Sequence, residues 1–393
     1  MTPLEQIPPA EAGERLRLAR EGANVTQAAA AHAIGVARTT VVAIEQGERR
    51  VRMNELQKLA KLYGTSVNAL LRQEAVHVDL APRFRKLDGN HDGAADAAAE
   101  LLAGLAKAEV ELENLMGIQR VRSYPPERRI LKGDVRAQAE QDAAELRQRL
   151  GLGNAPITDI VTLLEMEMGV RVYVRRFDGR ISGLFAYDDA LGACMLLNAN
   201  HPRDRRAQTA GHETGHFMST RDQPEILHQH EAENSREERY ANAFARAFLT
   251  PARAVMQKFQ EVTAGSDRLT RRHVIVLAHF FGVSREAIVR RLEELGSVKP
   301  ETWDWFQSNG GITDDQARQV LGDLSAPDIH KAEADRPTTL RLNLLAAEAE
   351  RQGLLSEGQL ARLLRLDRVE LREILNNHEL EGSEGDGVIN RLG

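Results

Sequence analysis

His212-Glu213-Thr214-Gly215-His216 is the stretch on which the reading of this chain turns. On a helix, residues four apart lie on one face, one turn from each other. Two imidazoles so placed can grip one metal ion, and the glutamate beside the first lies near a water held there. Zinc lowers the pKa of such a water from 15.7 to roughly 7, and Glu213 would take its proton. The same five letters also occur by chance on polar helices, so a third ligand and an open position are needed before they imply chemistry.

Working outward from the motif, one familiar arrangement would put Gly at 219 and His at 222. The chain has Ser219 and Asp222 there, so that pattern fails, and Asp222 stays only as a hard-oxygen candidate. The next helix offers a better one. In Glu238-Arg239-Tyr240-Ala241-Asn242, Glu238 would bind the metal, and Asn242, one turn on, would orient a ligand histidine. Glu237 is an adjacent rival. His228 and His230 are also near and read more simply as surface loop residues.

The single cysteine, Cys194, excludes both an internal disulfide framework and a thiolate-rich metal site. Any metal must therefore be held by His and carboxylates, which suits Zn2+ and also permits Mn2+. One cysteine fits a reducing cytosol. Met1-Thr2-Pro3-Leu4-Glu5 lacks the look of a signal peptide, and the apolar run Val274 to Val283 is too short to span a bilayer, so a cytoplasmic protein without a membrane role is expected.

The 393 residues divide into several domains, mostly α with a small β-sheet. Residues 8–74 read as short helices: one around Leu16 and Ala19, one capped by Thr26, one over Arg38–Glu45 ended by Gly47, then Met53–Tyr63 and Ser66–Arg72. Gly35 suits a positive φ. Residues 75–132 read as a helical linker, with a loop at 88–93 and a helix over Ala94–Met116 broken by Ser123-Tyr124-Pro125-Pro126. Residues 133–262 carry helices at 135–150 and 158–168, strands at 170–174, 183–187 and 194–198, and helices at 203–219 and 235–248. Residues 263–297 form a helix-turn-helix-like segment. Residues 298–393 begin polar and then supply helices at 338–352, 356–364 and 367–375 as a C-terminal helical domain. No strict internal repeat is evident, although three segments share helix-turn-helix character. Packing is the simpler reading of the last two.

The HExxH helix is followed by Glu238, Asn242, Phe244, Ala245, Leu249 and Pro251, matching ExxxNxFAxxxLxP. Together with Thr209 ahead of His212 and Gly215 before His216, this resembles the ImmA/IrrE family of zinc-dependent peptidases, over about 160 residues from the helix at 137–150 to Leu295. The departures are Gly211, where an apolar residue or Ala is usual, and Thr214, where Leu is common. The resemblance implies a zinc metallo-endopeptidase with His212, His216 and Glu238 as ligands, Glu213 as general base, and a transcriptional repressor as protein substrate. The group that would stabilise the oxyanion is not implied; Tyr187, His201 and Tyr240 are candidates.

Leu16 to Leu71 resembles a Cro/repressor-type (XRE) helix-turn-helix domain, through Leu18-Ala19-Arg20, Thr26-Gln27, Val36-Ala37-Arg38-Thr39-Thr40, Ile44-Glu45-x-Gly47 and Leu56-x-x-Leu59-Ala60. Arg38, Thr39 and Thr40 would then meet base edges in the major groove of double-stranded DNA. Gln27 would hold a phosphate, and Arg49, Arg50 and Arg52 would follow the backbone. From Leu16 to Arg72 nine basic residues face four acidic ones, a local positive domain in a chain of net charge −6. Such domains usually act as homodimers. The sequence therefore points to a bacterial DNA-binding regulator with zinc peptidase activity, cleaving a repressor or itself in a stress or mobile-element response. The alternative is a regulator whose peptidase-like domain senses a ligand or metal without proteolysis.

Overall fold

A computed structural model describes residues 8–65, 67, 70, 93–221, 225–228, 235–266, 268–322 and 338–383. Side chains are described for these except at 225–228 and beyond 375. The expected helix Ser66–Arg72 and loop 88–93 fall almost wholly outside them, as do Asp222, His230 and the side chain of His228.

The chain divides into two compact units. The first gathers Met1–His77, Gly104–Arg120 and Leu340–Gly393. It opens with α1 (Pro9–Gly22), α2 (Gln27–Ile34), α3 (Arg38–Glu45) and α4 (Met53–Leu62). Thr26 caps α2 by accepting from the Ala29 amide, and Gly35 ends it at φ +73°. Leu16, Ala30, Val41, Ile44, Leu56 and Leu59 are buried between these helices. Gly13 lets α1 cross α3 closely: a Cβ there would lie 2.3 Å from the Ile44 carbonyl oxygen. The long α5 (Gly93–Met116) ends in this unit. So do α15 (Leu340–Arg351), α16 (Glu357–Leu364) and α17 (Arg368–Ser383). A buried ion cluster ties these pieces together. Arg120 pairs with Glu109 and, at 3.1 Å, with Glu113, and Arg341 reaches Glu113 at 2.9 Å. Gln57 of α4 donates to the carbonyls of Gln352 and Gly353.

The second unit comprises Val78–Ala103 and Val121–Thr339. Its elements are α6 (Val135–Arg149), α7 (Ile160–Leu163) running into a π turn (Leu164–Met168), β1 (Arg171–Arg175), β2 (Ile181–Asp188), β3 (Gly192–Asn198), α8 (Arg203–Ser219), β4 (Glu225–His228) and α9 (Arg236–Leu249). After them come α10 (Ala252–Val262), α11 (Arg271–Phe281), α12 (Arg285–Glu294), α13 (Thr302–Ser308) and α14 (Asp314–Leu321). The sheet order is β1-β3-β2-β4, with β1 parallel to β3 and the other pairs antiparallel. Apolar β1, β2 and β3 are buried nearly throughout, and α8 packs against β2 and β3. Behind α8 lie α9 and then α6. Phe185, Phe217, Phe244 and Phe248 belong to one core that continues through Phe281 and Leu292 to Trp303 and Phe306.

The three strands and most helices lie where the periodicity puts them. The helix expected over Thr158–Met168 is α-helical only in its first turn, with a π turn leading to Gly169 at φ +74°. β4 has four residues between polar stretches, too short for alternation to register. α10, α13 and α14 were also not anticipated. Polar composition hid α14, none of whose residues is fully buried.

Candidate metal centre and nucleic-acid interface

α8 carries the HExxH residues inward. His212, Glu213 and His216 are buried, and the two imidazole Nε2 atoms stand 3.1 Å apart. Glu238 comes from the first turn of α9, where Ser235 caps the helix through the Glu238 amide. Its carboxylate lies 3.0 Å from His216 Nε2 and 3.4 Å from His212 Nε2. The three ligand-type atoms lie within 4.8 Å of one another.

Backbone proximity produces this convergence. A Cβ on Gly215 would sit 2.7 Å from Ala241 Cα, and one on Gly211 would sit 3.2 Å from Ala245 Cβ. Gly211 and Gly215 of α8 thus meet Ala241 and Ala245 of α9, and the two helices approach closely enough for Glu238 to reach the histidines. Gly183 on β2 plays a similar part over Glu213. A Cβ there would lie 2.6 Å from Thr209 Cγ2 and 3.6 Å from Glu213 Oε1. The β2–β4 register shifts between Ile181 and Gly183, and such irregularities often sit beside sites.

The outer ring nitrogens are also held. His212 Nδ1 lies 3.0 Å from Asn242 Oδ1, and His216 Nδ1 lies 3.2 Å from Thr220 Oγ1. An amide oxygen only accepts, so His212 Nδ1 donates, and the neutral ring turns an Nε2 lone pair toward the other two groups. Burial, reinforced by the neighbouring His216, pushes the His212 pKa down to about 4 and keeps it neutral. Burial opposes ionisation of Glu238, but the hydrogen bond from His216 and the electrostatic attraction of the two imidazoles outweigh it and hold the carboxyl below its usual range.

In the first unit, Arg38 and Thr39 are exposed at the start of α3, and Thr40 is half-buried. A relay stands behind them. Buried Arg20 pairs with Glu45 at 2.6 Å, Glu45 accepts from Gln27 Nε2 at 2.9 Å, and Gln27 Oε1 accepts from Arg38 at 3.4 Å. Arg50 and Arg52 are exposed, whereas half-buried Arg49 is engaged by Glu55 at 2.8 and 3.1 Å.

Residues 165–293 match the sequence model of the IrrE N-terminal-like domain, the Peptidase M78 family. This stretch is similar to IrrE N-terminal-like domains. It runs from the π turn to the end of α12, so the HExxH helix, the whole sheet and α9 lie inside it, and the chain carries a domain of metallopeptidase type. Residues 11–73 match a helix-turn-helix domain, which supports binding to DNA. No curated protein matches the chain.

The donor set of the IrrE-like domain fits a metal ion. His212, His216 and Glu238 offer one lone-pair atom each toward a common point, a nitrogen–oxygen set suited to zinc. The three residues considered for oxyanion stabilisation engage elsewhere. Tyr240 donates to Asp142 at 2.7 Å, Tyr187 contacts Asp189 at 3.2 Å, and His201 Nε2 meets the Gly179 carbonyl at 3.0 Å. Glu237 sits on the same turn as Glu238 but is absent from the convergent group. Sequence reasoning missed Thr220, Gly183 and the Gly211–Gly215 seam. Thr220 was open to discovery, because a residue four beyond His216 must share its helix face.

Proposed function

We propose that this chain is a DNA-binding transcription regulator and a zinc-dependent endopeptidase that cleaves a repressor or itself. The observation that carries the reading is the convergence of His212, His216 and Glu238, with Glu213 beside the first ligand on the same helix. His212, His216 and Glu238 would hold Zn2+ or Mn2+. The ion would act as a Lewis acid toward a peptide carbonyl and acidify the attacking water. Glu213 accepts a proton on its carboxylate and passes it to the departing amine, as a general base and then acid. Asn242 and Thr220 fix the imidazole orientations from behind. Arg38, Thr39 and Thr40 would face base edges, with Arg49, Arg50 and Arg52 toward phosphates.

Among the described residues no helix is long and apolar enough to cross a membrane. Cytoplasmic action on DNA as a homodimer belongs to the same proposal. The test is metal content and cleavage of wild type beside Glu213→Gln, with and without added zinc. Equal metal with cleavage lost in the variant is expected. Cleavage that persists in Glu213→Gln would sink the catalytic assignment, and metal bound without any cleavage would favour a sensor.

A further inference from the structure

We propose that residues 357–375 form a second DNA-contacting helix-turn-helix, in the same compact unit as the first. The inference rests on the reading of α2–α3 as a DNA-binding element. Register carries it. In α2–α3, Thr26 caps the first helix, Ala30, Ala31 and Ile34 are buried, Gly35 turns the chain at φ +73°, and Val41 and Ile44 are buried. In α16–α17, position for position, Ser356 caps the first helix, and Leu360, Ala361 and Leu364 are buried. Arg365 then turns the chain at φ +52°, and Leu371 and Ile374 are buried. Both caps accept from the amide three residues on, Ala29 and Gln359. A non-glycine residue in the left-handed region is uncommon. Here it occurs at the one position where the motif requires that conformation. α15 packs on both α16 and α17 and completes the three-helix arrangement.

The outward face is also equivalent. Arg38 heads α3, and Arg368, at the matching position, heads α17; both are exposed. Val369 beside it is 66% exposed, and Arg372, one turn on, is exposed too. Three of the nearby acidic residues have other tasks. Asp367 accepts from the amides of Val369 and Glu370, Glu370 accepts from the amide of Asp367, and Glu357 pairs with Arg372 at 2.8 Å. Arg368 is thus presented where a recognition helix meets a duplex.

The third segment of this type, α11–α12, shows what a purely structural copy looks like. Gly282 makes its turn at φ +65°, but Ile288, Val289 and Leu292 are all buried. Arg285 at its head is paired with Asp314, and Arg290 with Asp304. Its outer face is occupied by α13 and α14, whereas Arg368 and Val369 remain exposed.

The test measures binding of the full chain to a random-sequence duplex several helical turns long, across a range of salt. Arg368→Glu should weaken binding about tenfold and flatten the dependence of log affinity on log salt by about one. An acidic residue in the first turn favours a helix, so α17 should persist; Arg368→Gln, with the charge removed rather than reversed, gives a second reading if it does not. Arg351→Glu, the same charge change on α15 outside both motifs, should alter affinity less than twofold. If Arg368→Glu and Arg368→Gln bind like Arg351→Glu while Arg38→Glu is impaired, the second motif does not touch DNA and the proposal falls. If Arg38→Glu is also unimpaired, the DNA-binding reading of α2–α3 falls with it.

Discussion

At the scale of single residues, the metal centre depends on groups kept in one protonation state. The His212 pKa is lowered from 6.5 to about 4, so between these values the unfolded chain takes up a proton that the folded chain refuses. Metal-free protein should therefore lose stability as pH falls from 6.5 toward 4. Glu238, whose pKa is also lowered, adds a further loss only below its usual 4.5. Urea unfolding at several pH values should show this slope flattened in His212→Gln; an equal slope in both proteins would mean that His212 is not the group responsible. Thr220→Val should weaken zinc affinity about 10- to 100-fold while Thr220→Ser preserves it, as read by competition with a chelating dye. His212, Glu213, His216, Glu238 and Asn242 were legible in the sequence because helical spacing fixes which residues share a face. Thr220 obeys the same spacing yet carries no metal-ligand signal of its own. The engagement of Tyr240 with Asp142 was not legible, because it depends on how α6 packs against α9.

At the scale of elements, close helix contact decides what the side chains can do. Gly215→Ala would bring a methyl group to within 2.7 Å of Ala241 Cα, where backbone cannot yield as a side chain can. We expect about 1–3 kcal/mol of destabilisation, with a matching loss of metal affinity as α9 and Glu238 move away. Denaturant midpoints with and without zinc would separate the two effects, and an unchanged midpoint would show that the seam relaxes freely. In the first unit, Glu45→Ala would remove the short ion pair of buried Arg20 and leave it Glu21 at 3.4 Å and the Val25 carbonyl at 3.1 Å. A cost of about 3–5 kcal/mol is expected, along with a less ordered Arg38. α2 could be placed from sequence because the Thr26 cap, Gly35 and the apolar spacing agree. β4 and α14 could not, since four strand residues or a half-exposed helix leave little pattern to read.

At the scale of the whole molecule, the two matched regions occupy separate compact units. Arg38→Ala should weaken DNA binding and leave peptide hydrolysis unchanged, while Glu213→Gln should do the reverse; gel-shift and cleavage assays on both proteins test this, and either variant impairing both activities would contradict it. The two family-type regions were readable because each rests on several spaced residues at once. The membership of Leu340–Gly393 in the first unit was not, since nothing local announces that Arg341 will meet Glu113. That discontinuity has a consequence for synthesis on the ribosome. The chain emerges from its N-terminus, so the peptidase-like unit is complete before Arg341 and the helices after it leave the exit tunnel. Until then Glu109 and Glu113 lack the ion pairs that Arg341 makes with them. The newborn protein thus passes through a stage in which His212, His216 and Glu238 can already converge while the first unit still lacks its last third, and a stalled or truncated product would enter the cell in that state.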